Sequence, residues 1–136
     1  MTDYDLDAIR NGEQTQLNNA DLAEADLSGA TLSGATLYHA DLTGADLTGA
    51  DLSDADLRLA TLYRADLTDA TLGGAELQYA YLRWATLSGA DFTGATLSDA
   101  DFGGADFRGA ELTGVDITEA HFSKPTQFNN GRLRKT

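Results

Sequence analysis

Along this chain Leu, Phe or Ile recurs at every fifth residue, from Leu17, Leu22, Leu27 and Leu32 to Ile117 and Phe122, without an insertion or a deletion. Two residues before each stands Ala, from Ala20 to Ala120, with Thr15 and Val115 as the exceptions. The span from residue 15 to residue 124 holds 110 residues, which at five each make 22 units. An α-helix turns about 100° per residue, so a period of five would advance each Leu by roughly 140° and scatter the set around the cylinder. A long strand alternates its faces with period two, so an odd period would send successive Leu residues to opposite sides. The pattern predicts instead a short extended stretch in which Ala and Leu both point inward while the residue between them points out. The two remaining positions turn the chain. They are rich in Ser, Thr, Gly and Asp, as in Ser28-Gly29, Thr43-Gly44, Thr93-Gly94 and Thr113-Gly114, which is turn chemistry. Each unit is thus a three-residue strand and a two-residue corner, and the units wind into a solenoid.

The motif Ala-Asp/Thr-Leu-x-x, as in Ala45-Asp46-Leu47-Thr48-Gly49, resembles that of the pentapeptide-repeat family over about four-fifths of the chain. The resemblance implies an all-β solenoid, a right-handed quadrilateral β-helix with four units, or twenty residues, in each coil. Bulky corner residues support that coil length, because they fall into columns twenty apart: Tyr38, Arg58 and Gln78; His39, Leu59 and Tyr79; Tyr63 and Arg83; Arg64 and Trp84. With strand spacing of about 4.8 Å, 22 units give about five to six coils and a rod roughly 26 Å long.

A solenoid exposes its core at each end and needs closing elements. Residues 1–14 lie outside the frame, and Asp3 to Arg10 places Leu6 and Ile9 at helical spacing with acids early, Arg10 late and Gly12 beyond. This predicts a short capping helix. Residues 125–136 are expected to form closing units and a basic tail: Pro125, the only proline, shifts the frame by one, and Phe128 and Leu133 are again five apart. All five Phe residues lie in the last third, which predicts a fuller interior there.

Composition adds limits. The 136 residues contain no Cys and carry a formal charge of −13, so a single acidic domain without disulfides or thiol chemistry is expected. The start of the chain has no apolar run, which argues against a signal peptide or membrane anchor and makes the cytoplasm the expected location. All 22 acidic residues precede residue 124, against five basic ones, while Lys124, Arg132, Arg134 and Lys135 form the basic tail. Such asymmetry is compatible with end-to-end association at low salt, though a soluble ragged terminus is the plainer reading.

Catalysis is not expected. His39 and His121 lack a second His or Cys at ligand spacing, the Ser and Thr residues are turn and surface residues, and the glycines are corner residues rather than a phosphate loop. No cofactor and no metal are implied, and the aspartates do not fit an EF-hand.

Two surfaces remain. On the third side of the coil Asp26, Asp46, Asp66 and Asp106 stack, with Thr86 interrupting; on the fourth, Asp51, Asp91 and Glu111 alternate with Thr31 and Thr71. Resemblance to family members that protect DNA gyrase implies that these faces mimic DNA and bind a DNA-handling protein. The plainer reading is that outward acids keep the rod soluble and its edges unpaired. The other surface joins sides one and two, the units of Leu37, Leu57, Leu77, Leu62 and Leu82. It carries Tyr38, His39, Tyr63, Tyr79, Tyr81 and Trp84, interleaved with Arg58, Leu59, Arg64, Gln78 and Arg83. Tyr, Trp and Arg are enriched where proteins bind, and an exposed apolar cluster rimmed by polar groups marks a contact site. A protein partner, or a second copy of the chain, is expected there. Nucleic acid is not, since the acidic body repels phosphate, and no membrane partner is implied. The competing reading is a cation–π ladder, Arg64 over Trp84, that stiffens neighbouring coils.

Overall fold

The computed structural model of the chain describes residues 4–123 and 125–128. Helix α1 spans Leu6–Arg10, shorter than the segment the sequence suggested, and Asp3 lies outside the described residues. It starts at Leu6 because Asp5 caps it: the Asp5 carboxylate accepts from the N–H groups of Asp7 and Ala8 at 3.0 and 3.2 Å, answering two of the donors that a helix leaves open at its first turn. Ile9 is fully buried and Leu6 packs against the core. The Arg10 carbonyl accepts from Thr31 N–H at 2.8 Å. Its guanidinium donates to the Asp26 carbonyl at 2.7 Å and also to the Asp7 carboxylate.

Beyond residue 15 the outward residues of successive coils join in parallel bridges twenty apart, as in Asp26 to Asp46 to Asp66 to Thr86 to Asp106. The unit's hydrogen bonds are regular. Leu47 N–H donates to the Asp66 carbonyl one coil on (2.7 Å), and Asp66 N–H donates back to the Ala45 carbonyl (3.0 Å). The second corner residue, Gly49, donates to the Thr68 carbonyl (2.9 Å), and Ala50 N–H closes the corner on the Leu47 carbonyl (3.0 Å). That corner bond spans three residues and requires a positive φ at its third member, as in a type II turn. Glycines supply it at many corners, with Gly49 at φ 67°. One N–H per unit, that of the first corner residue, has no acceptor in this scheme.

The inward Leu and Ala residues form a continuous core, and among the described residues no polar or charged side chain is buried. Toward the C-terminal end the core turns aromatic: Phe102 lies 5.0 Å from Phe107 and stacks on Phe122 at 5.7 Å, and Phe107 stacks on Phe128 at 5.1 Å between ring centroids. The frame shift at Pro125 is present as a bridge between Asp106 and Gln127, twenty-one apart. Thr126 absorbs the extra residue, its hydroxyl accepting from Gly104 N–H and donating to the Phe102 carbonyl, both at 3.0 Å. The second closing unit, at Leu133, and the basic residues Lys124, Arg132, Arg134 and Lys135 lie outside the described residues. At Val115 the register slips: Thr96 and Asp116 are not bridged, and Asp99 N–H donates to Glu119, twenty residues on, where other corners reach nineteen. Val carries two more methyl groups than the Ala that fills this slot elsewhere, which keeps its strand from closing on the coil before it.

Candidate functional site

The outward acids turn out to answer the leftover N–H. Asp26, Asp46, Asp66 and Asp106 accept from the backbone N–H two residues on, in Ser28, Thr48, Thr68 and Arg108, at 3.0 to 3.2 Å. Asp51, Asp91 and Glu111 do the same for Ser53, Thr93 and Thr113 at 2.9 to 3.0 Å. Every acid of the two candidate acidic faces is therefore a corner brace, fixing the first corner residue as an Asx-turn does.

These bonds favour the charged form. The Ser28 hydroxyl first, then its N–H, holds the Asp26 carboxyl below its usual value of 3.8. Ser53 and Thr93 act alike on Asp51 and Asp91. The Arg58 and Arg108 side chains do so for Asp56 and Asp106, and the Thr118 N–H and hydroxyl for Asp116. A carboxyl lowered in the folded chain contributes stability that is whole above its unfolded value and is lost as pH falls through the folded one. The thermal midpoint is therefore expected to stay level from pH 7 to about pH 5 and to drop below about pH 4, as these carboxyls protonate; a melting series across that range checks it.

The second surface is one connected patch centred on side two, whose outward residues Thr61, Tyr81 and Asp101 stack twenty apart. The corner before it carries Leu59 and Tyr79, the corner after it Tyr63, Arg64, Arg83 and Trp84. Tyr79 is 56% exposed, Tyr81 51%, Trp84 44% and Tyr63 37%. Tyr38, Leu59 and Gln78 are only half-buried rather than fully open, and the Gln78 Oε1 is buried without a hydrogen-bond partner. His39 Nδ1 lies 3.0 Å from Asn19 Oδ1. Arg58 grips Asp56 with two bonds of 2.8 Å and lies over the Tyr38 ring at 5.3 Å.

The expected ladder of Arg64 over Trp84 is corrected: the Arg64 guanidinium lies over Tyr63 within the same corner, 5.4 Å from the ring centre. Trp84 reaches the other way, onto the next coil, where a Cβ on Gly104 would come within 2.6 to 2.7 Å of the indole. Arg83 likewise covers Gly103, with Nη1 3.6 Å from Asp101 Oδ1. Gly103 and Gly104 thus form the floor of the patch, and spacing of twenty from Arg83 and Trp84 was the signal for them. Gly104→Ala combines this clash with a φ of 73°, where an L side chain loses about 1–2 kcal/mol. The variant is expected to melt lower and to shift Trp84 emission to the red, read by fluorescence of this single tryptophan.

A backbone feature sets the patch apart. Among the described residues, ten corners place a residue other than Gly at positive φ. Asn19, His39, Asp54, Asp69 and Asp99 belong to the types that tolerate this region. Four of the other five, Leu59, Arg64, Tyr79 and Trp84, lie in the patch at φ of 59° to 63°, and Glu24 lies outside it. Corner positions that elsewhere take Gly identify these residues, a signal legible in the repeat frame.

The geometry defines a repeat solenoid with an aromatic face. Models of pentapeptide repeats match residues 15–54, 55–94 and 85–123, and the chain belongs to the pentapeptide-repeat family. Its fold is a right-handed β-helix solenoid, and proteins of this family are generally structural or interaction modules. It is similar to the pentapeptide-repeat protein Rfr23 from the cyanobacterium Cyanothece 51142, with 32% identity and a TM-score of 0.69 over 70% of this chain and 65% of that one. It is also similar to alr5209, a pentapeptide-repeat protein from Nostoc PCC 7120, with 34% identity and a TM-score of 0.57 over 87% and 93%. This chain therefore spans just under two-thirds of the Cyanothece protein. No curated protein matches it. Among the described residues no helix is long and apolar enough to cross a membrane.

Proposed function

We propose that this chain is a non-enzymatic protein-binding module. The rod of five to six coils begins at residue 15 and is closed at its start by helix α1 and, among the described residues, at its end by residues 125–128. The binding face is the patch of Tyr38, His39, Arg58, Leu59, Tyr63, Arg64, Gln78, Tyr79, Tyr81, Arg83 and Trp84. One observation carries the reading: Leu59, Arg64, Tyr79 and Trp84 hold a left-handed backbone of about 60° where Gly, Asn or Asp would relieve the strain. Strain kept by bulky residues in one exposed cluster points to use of their side chains. Stiffening alone favours no single side of the rod.

DNA mimicry by the acidic faces has weaker support, since each of those seven acids braces its own corner. The test is a pull-down comparing wild type with the Tyr79→Ala, Trp84→Ala double variant, together with a gyrase supercoiling assay. Loss of captured partners or of an oligomer in the double variant is expected, with supercoiling unaffected at micromolar protein. Identical partners and identical oligomeric state would leave the patch a purely structural device.

A further inference from the structure

Resting on that reading, we infer that the face of Tyr63, Tyr79, Tyr81 and Trp84 takes an extended segment of another protein that bears lysine or arginine. Size argues first. The four rings are about half exposed, and at ~150–250 Å² for a whole aromatic side chain they offer on the order of 400 Å² together. A stable contact between two folded surfaces buries about 800 Å² on each. Half of that suits one strand of chain better than a second globular surface. The layout agrees, because Tyr79, Tyr81 and Arg83 project as alternate residues along one coil, beside Leu59, Thr61 and Tyr63 on its neighbour about 4.8 Å away.

Charge decides the sign. The patch holds three guanidinium groups, but Arg58 is paired with Asp56 and lies 3.6 Å from Glu76, and Arg83 lies 3.6 Å from Asp101. Arg64 rests on Tyr63. Around them stand the carboxylates of Asp56, Glu76, Asp99 and Asp101, with Glu76 half exposed. Asp99 lies 3.6 Å from His121. Beyond this rim the whole chain carries −13. An acidic segment, or a second copy laid side by side, meets like charge at both ranges. A cationic segment is drawn in by the same field. Its methylene stems cover the rings, and its charged heads lie on ring faces or reach the rim. The chain already makes this contact with its own residues, Arg58 on Tyr38 and Arg64 on Tyr63.

Octapeptides selected from a random library on the full chain, with counter-selection on the Tyr79→Ala, Trp84→Ala variant, test the inference. Selected peptides are then titrated against Trp84 emission. The expected result is enrichment of lysine and arginine, with affinity that falls steeply with salt and about tenfold in Tyr81→Ala. Neutral or acidic peptides that still need Tyr79 and Trp84 would overturn the cationic partner while leaving the protein-binding reading in place. Basic peptides held equally by the double variant would overturn it too, as attraction to bulk charge. If no peptide depends on the patch, the extended segment is refuted, and the pull-down then decides the reading beneath it.

Discussion

Phe102→Ala is expected to lower stability by about 3–5 kcal/mol, the range for truncating a buried aromatic. Phe102 is fully buried and touches three other rings: Phe92 edge-on at 6.4 Å, Phe107 at 5.0 Å and Phe122 stacked at 5.7 Å. Its carbonyl also accepts the Thr126 hydroxyl that absorbs the frame shift. Loss of the ring removes the stacking partner of Phe122 and a neighbour of Phe92 and Phe107, while backbone ladders hold the cavity open against collapse. In a solenoid each coil is stabilised by its neighbours, so the effect is expected to be local first. Guanidinium denaturation should show the lower midpoint. Hydrogen exchange should show protection lost around residues 115–128 before residues 20–60. Uniform loss along the rod would contradict nearest-neighbour stacking.

Ala65→Leu is expected to destabilise by about 1–3 kcal/mol, toward the upper end, through overpacking. Ala65 is fully buried, and its neighbours cannot retreat, because Asp66 N–H is tied to Ala45 and Thr86 N–H to Ala65 at 3.0 and 2.9 Å. The chain contains a milder case of the same change. Where Val115 replaces Ala, the Thr96 to Asp116 bridge is missing and the next corner slips by one residue. That slip is tolerable near an end. In the third coil it would interrupt pairing on both sides, since Asp46, Asp66 and Thr86 are bridged in series. A lower denaturation midpoint with a reduced slope would report it; an unchanged midpoint would mean that the Ala column has spare room.

Much of the fold was legible in the chain because one period governs it. The columns of Tyr38, Arg58 and Gln78 or of His39, Leu59 and Tyr79 announced a coil of twenty, and the bridges run at that interval. Phe128, out of step with Phe122, announced the shift that the Asp106 to Gln127 bridge contains. The site was legible only as a cluster. That Arg64 lies on Tyr63, and that Trp84 lies on Gly104, depends on which rotamer each long side chain takes at a left-handed corner. Nor did the outward aspartates reveal their brace to the corner N–H, since solubility alone explains acids on a surface.

By itself the sequence determined which residues face inward, for burying each Leu is worth about 2 kcal/mol and neither a helix nor a long strand buries them all, and how many make a coil, for twenty residues bring the bulky corner side chains into columns. Only the tertiary structure decided where the outward groups lie: the acids on backbone N–H groups, Arg58 on Asp56 and Tyr38, Arg83 over Gly103 and Trp84 over Gly104. Exposed side chains choose among rotamers that differ by less than about 1 kcal/mol, and the contact offered by the next coil, twenty residues away, settles the choice.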